Sequence, residues 1–247
     1  MSEPTIGAHL VHIARRILRL ARRTLRPVKR VVRAALRRIP SRRRVAYFFG
    51  FSDRLFVERE PRGRLFILFS GMSGGMSGVS TARVKDAVLK EFPDASVVIK
   101  NLDYEAWNTV QGFHQWGIKQ MLRWVRSARN RYSSVNLIGA SAGGFASILV
   151  GAASGVAGVL TYQAQTERSH RPQALNPRYS DVIGFIDGQV PLWLYFDPEG
   201  VKEHSSAQAH RIAHLPLVIA RQMQPRTFSQ LLDEGVFSQH LHEMVLS

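Results

Sequence analysis

The stretch Leu137-Ile138-Gly139-Ala140-Ser141-Ala142-Gly143-Gly144-Phe145 decides how the rest of the chain is read. It has the form G-x-S-x-G. Before it, Val135-Asn136-Leu137-Ile138 reads as a short strand; after it, residues 143–158 are small and apolar enough for a buried helix. A serine at such a strand-to-helix turn needs small neighbours, because backbone comes close on both sides. Gly139 and Gly143 allow that approach. The helix that follows directs its amino-terminal N–H groups and positive dipole end at the serine hydroxyl. The Ala142 amide can then donate to an oxygen that gains negative charge. Ser141 is a candidate nucleophile, and a glycine-rich turn that only packs closely is the plainer alternative. A dinucleotide site does not fit, because G-x-G-x-x-G is absent and the turn lies mid-chain.

Outward from this turn, strands and helices alternate. Val45–Phe51 and Arg54–Glu58 read as two short strands, and Leu65–Phe69 as a strand covered on both faces. Val79–Phe92 has helical spacing, Ala95–Lys100 reads as a strand, and Glu105–Asn130 as a helix with Trp116, Met121, Trp124 and Val125 inward. Strands are expected at Val159–Gln163, Leu192–Phe196 and Leu215–Ala220, and helices at Glu203–His214 and Thr227–Leu246. Residues 164–190 are irregular. The pattern predicts an α/β fold with a mostly parallel central sheet flanked by helices.

The charge divides the chain. Of 247 residues, 34 are Lys or Arg and 18 are Asp or Glu, for a net +16. Residues 1–45 hold fourteen of the cations and one acid, Glu3, a net +13, which leaves +3 for residues 46–247. We therefore expect a basic amphipathic arm over 1–45 and a folded domain over 46–247. Between Leu10 and Ile39 apolar residues recur in steps of three and four, arginines fill the remaining circumference, and Pro27 interrupts the helix. Three readings fit such a segment: an anionic membrane surface contacted through 10–39, a nucleic acid, or an arm that packs on protein. The regular apolar stripe favours the membrane, since phosphate binding alone needs no such row. A nucleic-acid module is disfavoured by the body's small charge and its lack of a reader motif. No run approaches the ~20 residues that span a bilayer, and no cleaved secretory signal is expected. The expected location is cytoplasmic and peripheral at a membrane; organelle targeting is the other reading of an Arg-rich start. The chain has no cysteine, which excludes a thiol nucleophile, a disulfide framework and Cys-ligated metal sites.

With its serine turn in this setting, the chain over 45–247 resembles the α/β-hydrolase superfamily. The resemblance implies an oxyanion loop after the third strand, here Ser70–Gly78 with four glycines. Met72 and Ser73 are then the amide donors, beside Ala142. It is not a P-loop, because no Gly-Lys-Ser/Thr follows. The resemblance also implies an acid after a late strand. Asp197, in Tyr195-Phe196-Asp197-Pro198, takes that place, with Asp187 in reserve. It implies a histidine after the last strand, yet Arg221–Phe228 contains none. Of nine histidines, His9, His12, His114 and His170 lie elsewhere, His204, His210 and His214 precede the last strand, and His240 and His242 follow it. A displaced base, His204 or His240, would complete Ser141 and Asp197. His210 and His214 lack a third partner for zinc, and no cofactor or metal is expected.

Two functions remain open at this point. One is a serine hydrolase or acyltransferase acting on a small-molecule, glycan or lipid ester. The other is a catalytically degenerate binding or accessory protein with the same fold. The C-terminal half is similar to bacterial hydrolase-like proteins of surface-polysaccharide assembly, through its strand ending in Asp-Pro and Leu231-Leu232-Asp233-Glu234-Gly235. The sequence leaves the oligomeric state undecided.

Overall fold

A computed structural model describes residues 56–57, 63–71, 75–100, 115–167, 179, 181–197, 203–224 and 226–246. The basic arm, the expected strand Val45–Phe51 and the amides of Met72 and Ser73 lie outside the described residues.

The centre is a seven-stranded sheet. Its strands are β1 (Phe56–Val57), β2 (Arg64–Phe69), β5 (Ser96–Lys100), β6 (Ser134–Ala140), β7 (Gly158–Tyr162), β8 (Leu192–Phe196) and β9 (Val218–Gln222), in the spatial order β1-β5-β2-β6-β7-β8-β9. β1 runs antiparallel to β5, and the other six strands are parallel. Both faces are covered, as continuous apolar strands require. In β2, Leu65, Ile67 and Phe69 join one core, while Phe66 and Leu68 join the other. Successive side chains of a strand point to opposite faces, so one apolar run serves two cores.

One face carries α2 (Gln115–Arg129) and α3 (Ala142–Ser154); the other carries α1 (Thr81–Glu91), α5 (Phe228–Asp233) and α6 (Val236–Leu246). In α2, Met121 and Val125 are buried and Trp124 is partly buried, as the spacing predicts. α4 (Glu203–His210) connects β8 to β9. No helix among the described residues is long and apolar enough to cross a membrane.

The structure corrects several boundaries. Val79 and Ser80 are not helical. They form β4 (Val79–Ser80), which pairs with β3 (Gly75–Met76) in a hairpin closed by Ser77 and Gly78, both at positive φ. Part of the glycine-rich stretch after β2 is thus a tight turn of the primed kind. Ser80 still ends in a helix cap, its side chain accepting from the Arg83 amide. The last strand begins at Val218 rather than Leu215, because Leu215 to Leu217 turn first, with Leu217 at φ 58. The helix expected over Glu203–His214 ends at His210, so His210 and His214 share no helix face. The closing helix is two helices. Thr227 and Gln230 form a capping box at the start of α5, and Gly235 at φ 74 breaks the chain before α6.

Candidate active site

Ser141 follows β6 directly and stands at the amino end of α3 with φ 53 and ψ −119. L-residues rarely adopt this conformation, and holding one there costs on the order of 1–3 kcal/mol. Neighbouring hydrogen bonds fix it. The Ser141 amide donates to the Tyr162 carbonyl at 2.9 Å, and the Ser141 carbonyl accepts from the Phe145 amide at 3.2 Å and the Gln165 amide at 3.3 Å. The side chain does not cap α3. The backbone strain therefore presents the hydroxyl at the carboxyl-terminal edge of the sheet without assigning it to the helix.

The flanking glycines are contact points. A Cβ on Gly139 would overlap the Gly143 carbonyl oxygen and the Ser147 hydroxyl, which itself donates to Gly143 O at 2.9 Å. A Cβ on Gly143 would overlap the Phe69 carbonyl oxygen and lie 2.7 Å from that of Ser70. The turn is therefore pressed against the end of β2, where the glycine-rich stretch starts. A Cβ on Gly71 would stand 3.8 Å from the Ala140 carbonyl oxygen, and the Gly71 amide already donates to Gly75 O at 2.6 Å. The Gly71 amide is thus committed to Gly75. Ala142, the other expected amide donor, opens α3 and is buried.

Asp197 is 7 % exposed and follows β8, with β7 between it and the serine strand. Two strand spacings put the backbones about 10 Å apart. The Phe196 carbonyl beside it accepts from the Met223 amide at 2.8 Å. Asp187 precedes β8, at the edge where the strands begin. It is exposed and accepts from the Gln189 amide in its own turn. The reserve acid therefore stands away from Ser141.

No histidine occurs between β9 and α5. His204 lies in the first turn of α4, in the connection that follows Asp197. His210 ends that helix, with its ring edge-on to Phe196 at 5.2 Å. His214 is exposed. His242 bonds Glu91 at 3.0 Å, which together with Ser238 holds the Glu91 carboxyl below its usual range. No group of three His, Asp or Glu among the described residues could hold a metal ion.

His240 is committed elsewhere. Its Nδ1 lies 2.9 Å from the Tyr162 hydroxyl, and its ring stacks on Tyr195 at 3.6 Å. Tyr195 donates to Glu243, which also receives Arg221. Burial pushes His240 down to about 4, with Glu243 opposing and Arg221 assisting, and pushes Tyr162 well above its usual range. At neutral pH both groups are therefore uncharged and share one hydrogen bond. Tyr162 links two places: its carbonyl holds the Ser141 amide, and its hydroxyl holds α6. Sequence reading missed this cluster, whose only local sign is an inward tyrosine ending β7.

The cluster predicts acid sensitivity. An unfolded His240 titrates near 6.5, while the folded one resists protonation to about 4. Between these values the unfolded chain binds the extra proton, so stability falls as pH drops through this window. Discounted for partial exposure, the loss should be about 2 kcal/mol, or about 6 °C for a domain of this size. Melting curves at pH 7 and pH 4 should show a smaller drop in His240→Gln than in the wild type. Equal drops would mean that His240 contributes nothing to the acid limb.

No family model matches the chain, and no curated protein matches it. Solved structures do. Est1E from Butyrivibrio proteoclasticus superposes with a TM-score of 0.51 at 14 % identity, covering 76 % of this chain and 90 % of that one. The S-formylglutathione hydrolase FrmB from Staphylococcus aureus gives 0.53 at 12 %, covering 76 % and 83 %. FphF, a fluorophosphonate-binding serine hydrolase of Staphylococcus aureus, gives 0.51 at 12 %, covering 76 % and 85 %. Identities this low carry the fold alone. The chain has the α/β-hydrolase fold.

Proposed function

We propose that this protein cleaves or transfers an acyl group from an ester, with Ser141 as nucleophile. The observation that carries the reading is the strained Ser141 at the amino end of α3, its hydroxyl withheld from the helix. Strain of this kind persists only where surrounding structure enforces it. In the proposed reaction Ser141 Oγ attacks the carbonyl carbon, and the base takes the hydroxyl proton. The carbonyl oxygen becomes an anion held by the Ala142 amide, with Met72 and Ser73 as the other donors. The base then protonates the leaving alkoxide, and water or an acceptor alcohol releases the acyl group by the reverse sequence. We assign the base to His204 and its orientation to Asp197, because both belong to the segment that leaves β8. The esterase and hydrolase names of the similar structures support an ester, whether small-molecule, glycan or lipid. The basic stripe over 10–39 would keep the protein on an anionic membrane surface, on its cytoplasmic side.

The test is labelling by a fluorophosphonate probe, read by intact mass. One adduct per chain, absent in Ser141→Ala and slowed about 10³-fold in His204→Ala, is the expected result. No adduct on folded wild-type protein would overturn the reading. A second reading would then stand, a hydrolase-like binding or accessory protein, favoured by the lack of any histidine between β9 and α5 and by His240 being held neutral against Tyr162.

A further inference from the structure

We propose that the folded domain carries its own docking surface for an anionic phospholipid bilayer, formed by Arg123, Arg126, Arg129 and Arg131 on and just after α2. This goes beyond the proposed chemistry, and it shares with the reading of the arm only the choice of lipid as partner.

The observation is an imbalance of partners. Elsewhere in the described domain Arg83 pairs with Asp233, Arg211 with Glu167 and Asp181, Arg221 with Glu243, and Arg226 with Glu234, while Arg64 lies over the Phe92 ring. No ion pair among the described residues involves Arg123, Arg126, Arg129 or Arg131, and all four are exposed. The sequence explains why. From Ala106 to Thr166 there is no Asp or Glu, while Lys119 and these four arginines fall within 119–131. Like charges at helical spacing repel one another and destabilise the helix, so the arrangement favours a counter-surface.

Two of the four are anchored. Arg126 donates to the Ala153 carbonyl at 2.6 Å and Arg129 to the Ser154 carbonyl at 2.8 Å, where the negative end of the α3 dipole lies. Each bond uses one of five guanidinium N–H donors. The rest present a planar fork suited to phosphate oxygens. From Arg123 to Arg129 the helix advances about 9 Å, and Arg131 lies just past its end, enough to meet several headgroups. A bilayer is favoured over a nucleic acid because the arm adds a regular apolar row from Leu10 to Ile39, which an acyl layer accepts and a phosphate backbone does not.

The placement also bears on substrate delivery. Arg129 and Arg131 precede β6, and Ser141 follows it, so the patch and the serine stand at opposite edges of the sheet. The seven residues of β6 separate them by about 20 Å. A bilayer against the arginines leaves Ser141 open to the aqueous side.

The experiment uses the full chain and two variants chosen to spare the helix-capping arginines, Arg123→Gln and Arg123→Gln/Arg131→Gln. Partition is measured onto vesicles of phosphatidylcholine with phosphatidylserine, onto phosphatidylcholine alone, and onto duplex DNA. A variant with Arg15, Arg16, Arg19, Arg22 and Arg23 changed to Gln reports on the arm. Expected is a loss of roughly fivefold in the single variant and tenfold or more in the double one, only on anionic vesicles, with unchanged melting temperatures. If the arm variant binds like the wild type while the double variant does not, the reading of the arm fails and this inference stands. Wild-type partition of the double variant overturns it. So does a loss confined to DNA, which would make the patch a nucleic-acid contact.

Discussion

Gly143→Ala is expected to lower the melting temperature by about 10 °C or to prevent folding, and Gly139→Ala to do the same. The added methyl on Gly143 meets two backbone oxygens, those of Phe69 and Ser70. Neither is free to retreat. Phe69 is fixed on both sides by its pairing with β5 and β6, and the Ser70 amide donates to Lys100 O at 3.0 Å. On Gly139 the obstacles are the Gly143 carbonyl and a buried Ser147. Overpacking ordinarily costs ~1–3 kcal/mol; fixed backbone on the far side puts these sites at or above the upper end. At a few degrees per kcal/mol for a domain of this size the shift follows. Gly184→Ala is the control, since nothing lies within 4 Å of a Cβ there, and its melting temperature should stay within a degree or two of wild type. Wild-type stability of Gly143→Ala would show that the serine turn is not pressed against β2.

Gln208→Ala is expected to cost about 3 kcal/mol. Gln208 is buried in α4, and its Oε1 accepts from the backbone amides of Thr166 and Glu167, each at 2.7 Å. The Thr166 hydroxyl lies 2.8 Å from the Gln208 carbonyl and 2.7 Å from Oε1, and it also receives Arg211 Nη1 at 3.2 Å. Arg211 then reaches Asp181, across the bridge that pairs Glu167 with Asp181. One side chain thus satisfies two amides of the segment after β7. Its removal takes this acceptor from the buried Thr166 amide and the part-buried Glu167 amide, at about 1–3 kcal/mol each. Gln208→Glu should recover part of the loss, because its carboxylate can still accept both amides. Chemical denaturation of the three proteins tests this, and equal stability of Gln208→Ala and wild type would show that water replaces the side chain. The same cluster fixes α4, the helix that carries His204, so fluorophosphonate labelling of Gln208→Ala should slow along with the loss of stability.

The alternation of strands and helices and the position of the serine turn are legible along the chain. Both rest on local rules. Apolar periods of two and 3.6 are written residue by residue, and Gly139 and Gly143 bracket Ser141 within five positions. Asp197 at the end of β8 is legible too, because an apolar run followed by Asp-Pro ends a strand. Where local signals are ambiguous, element limits are not legible. Leu215-Pro216-Leu217 has the composition of a strand, yet the chain turns there, and the apolar spacing over 227–246 does not reveal the break at Gly235.

Which strands are neighbours and which polar groups meet follows only from the folded arrangement. Thr166 and Gln208 are 42 residues apart, and Tyr162 and His240 are 78 apart. No pattern along the chain encodes such pairs, because the sheet order that brings them together results from closing both cores at once. The fate of His240 shows the difference. As a residue in the sequence it is a candidate base. In the fold it is a neutral ring bonded to Tyr162 and packed on Tyr195, since burial in an aromatic cleft disfavours its charged form.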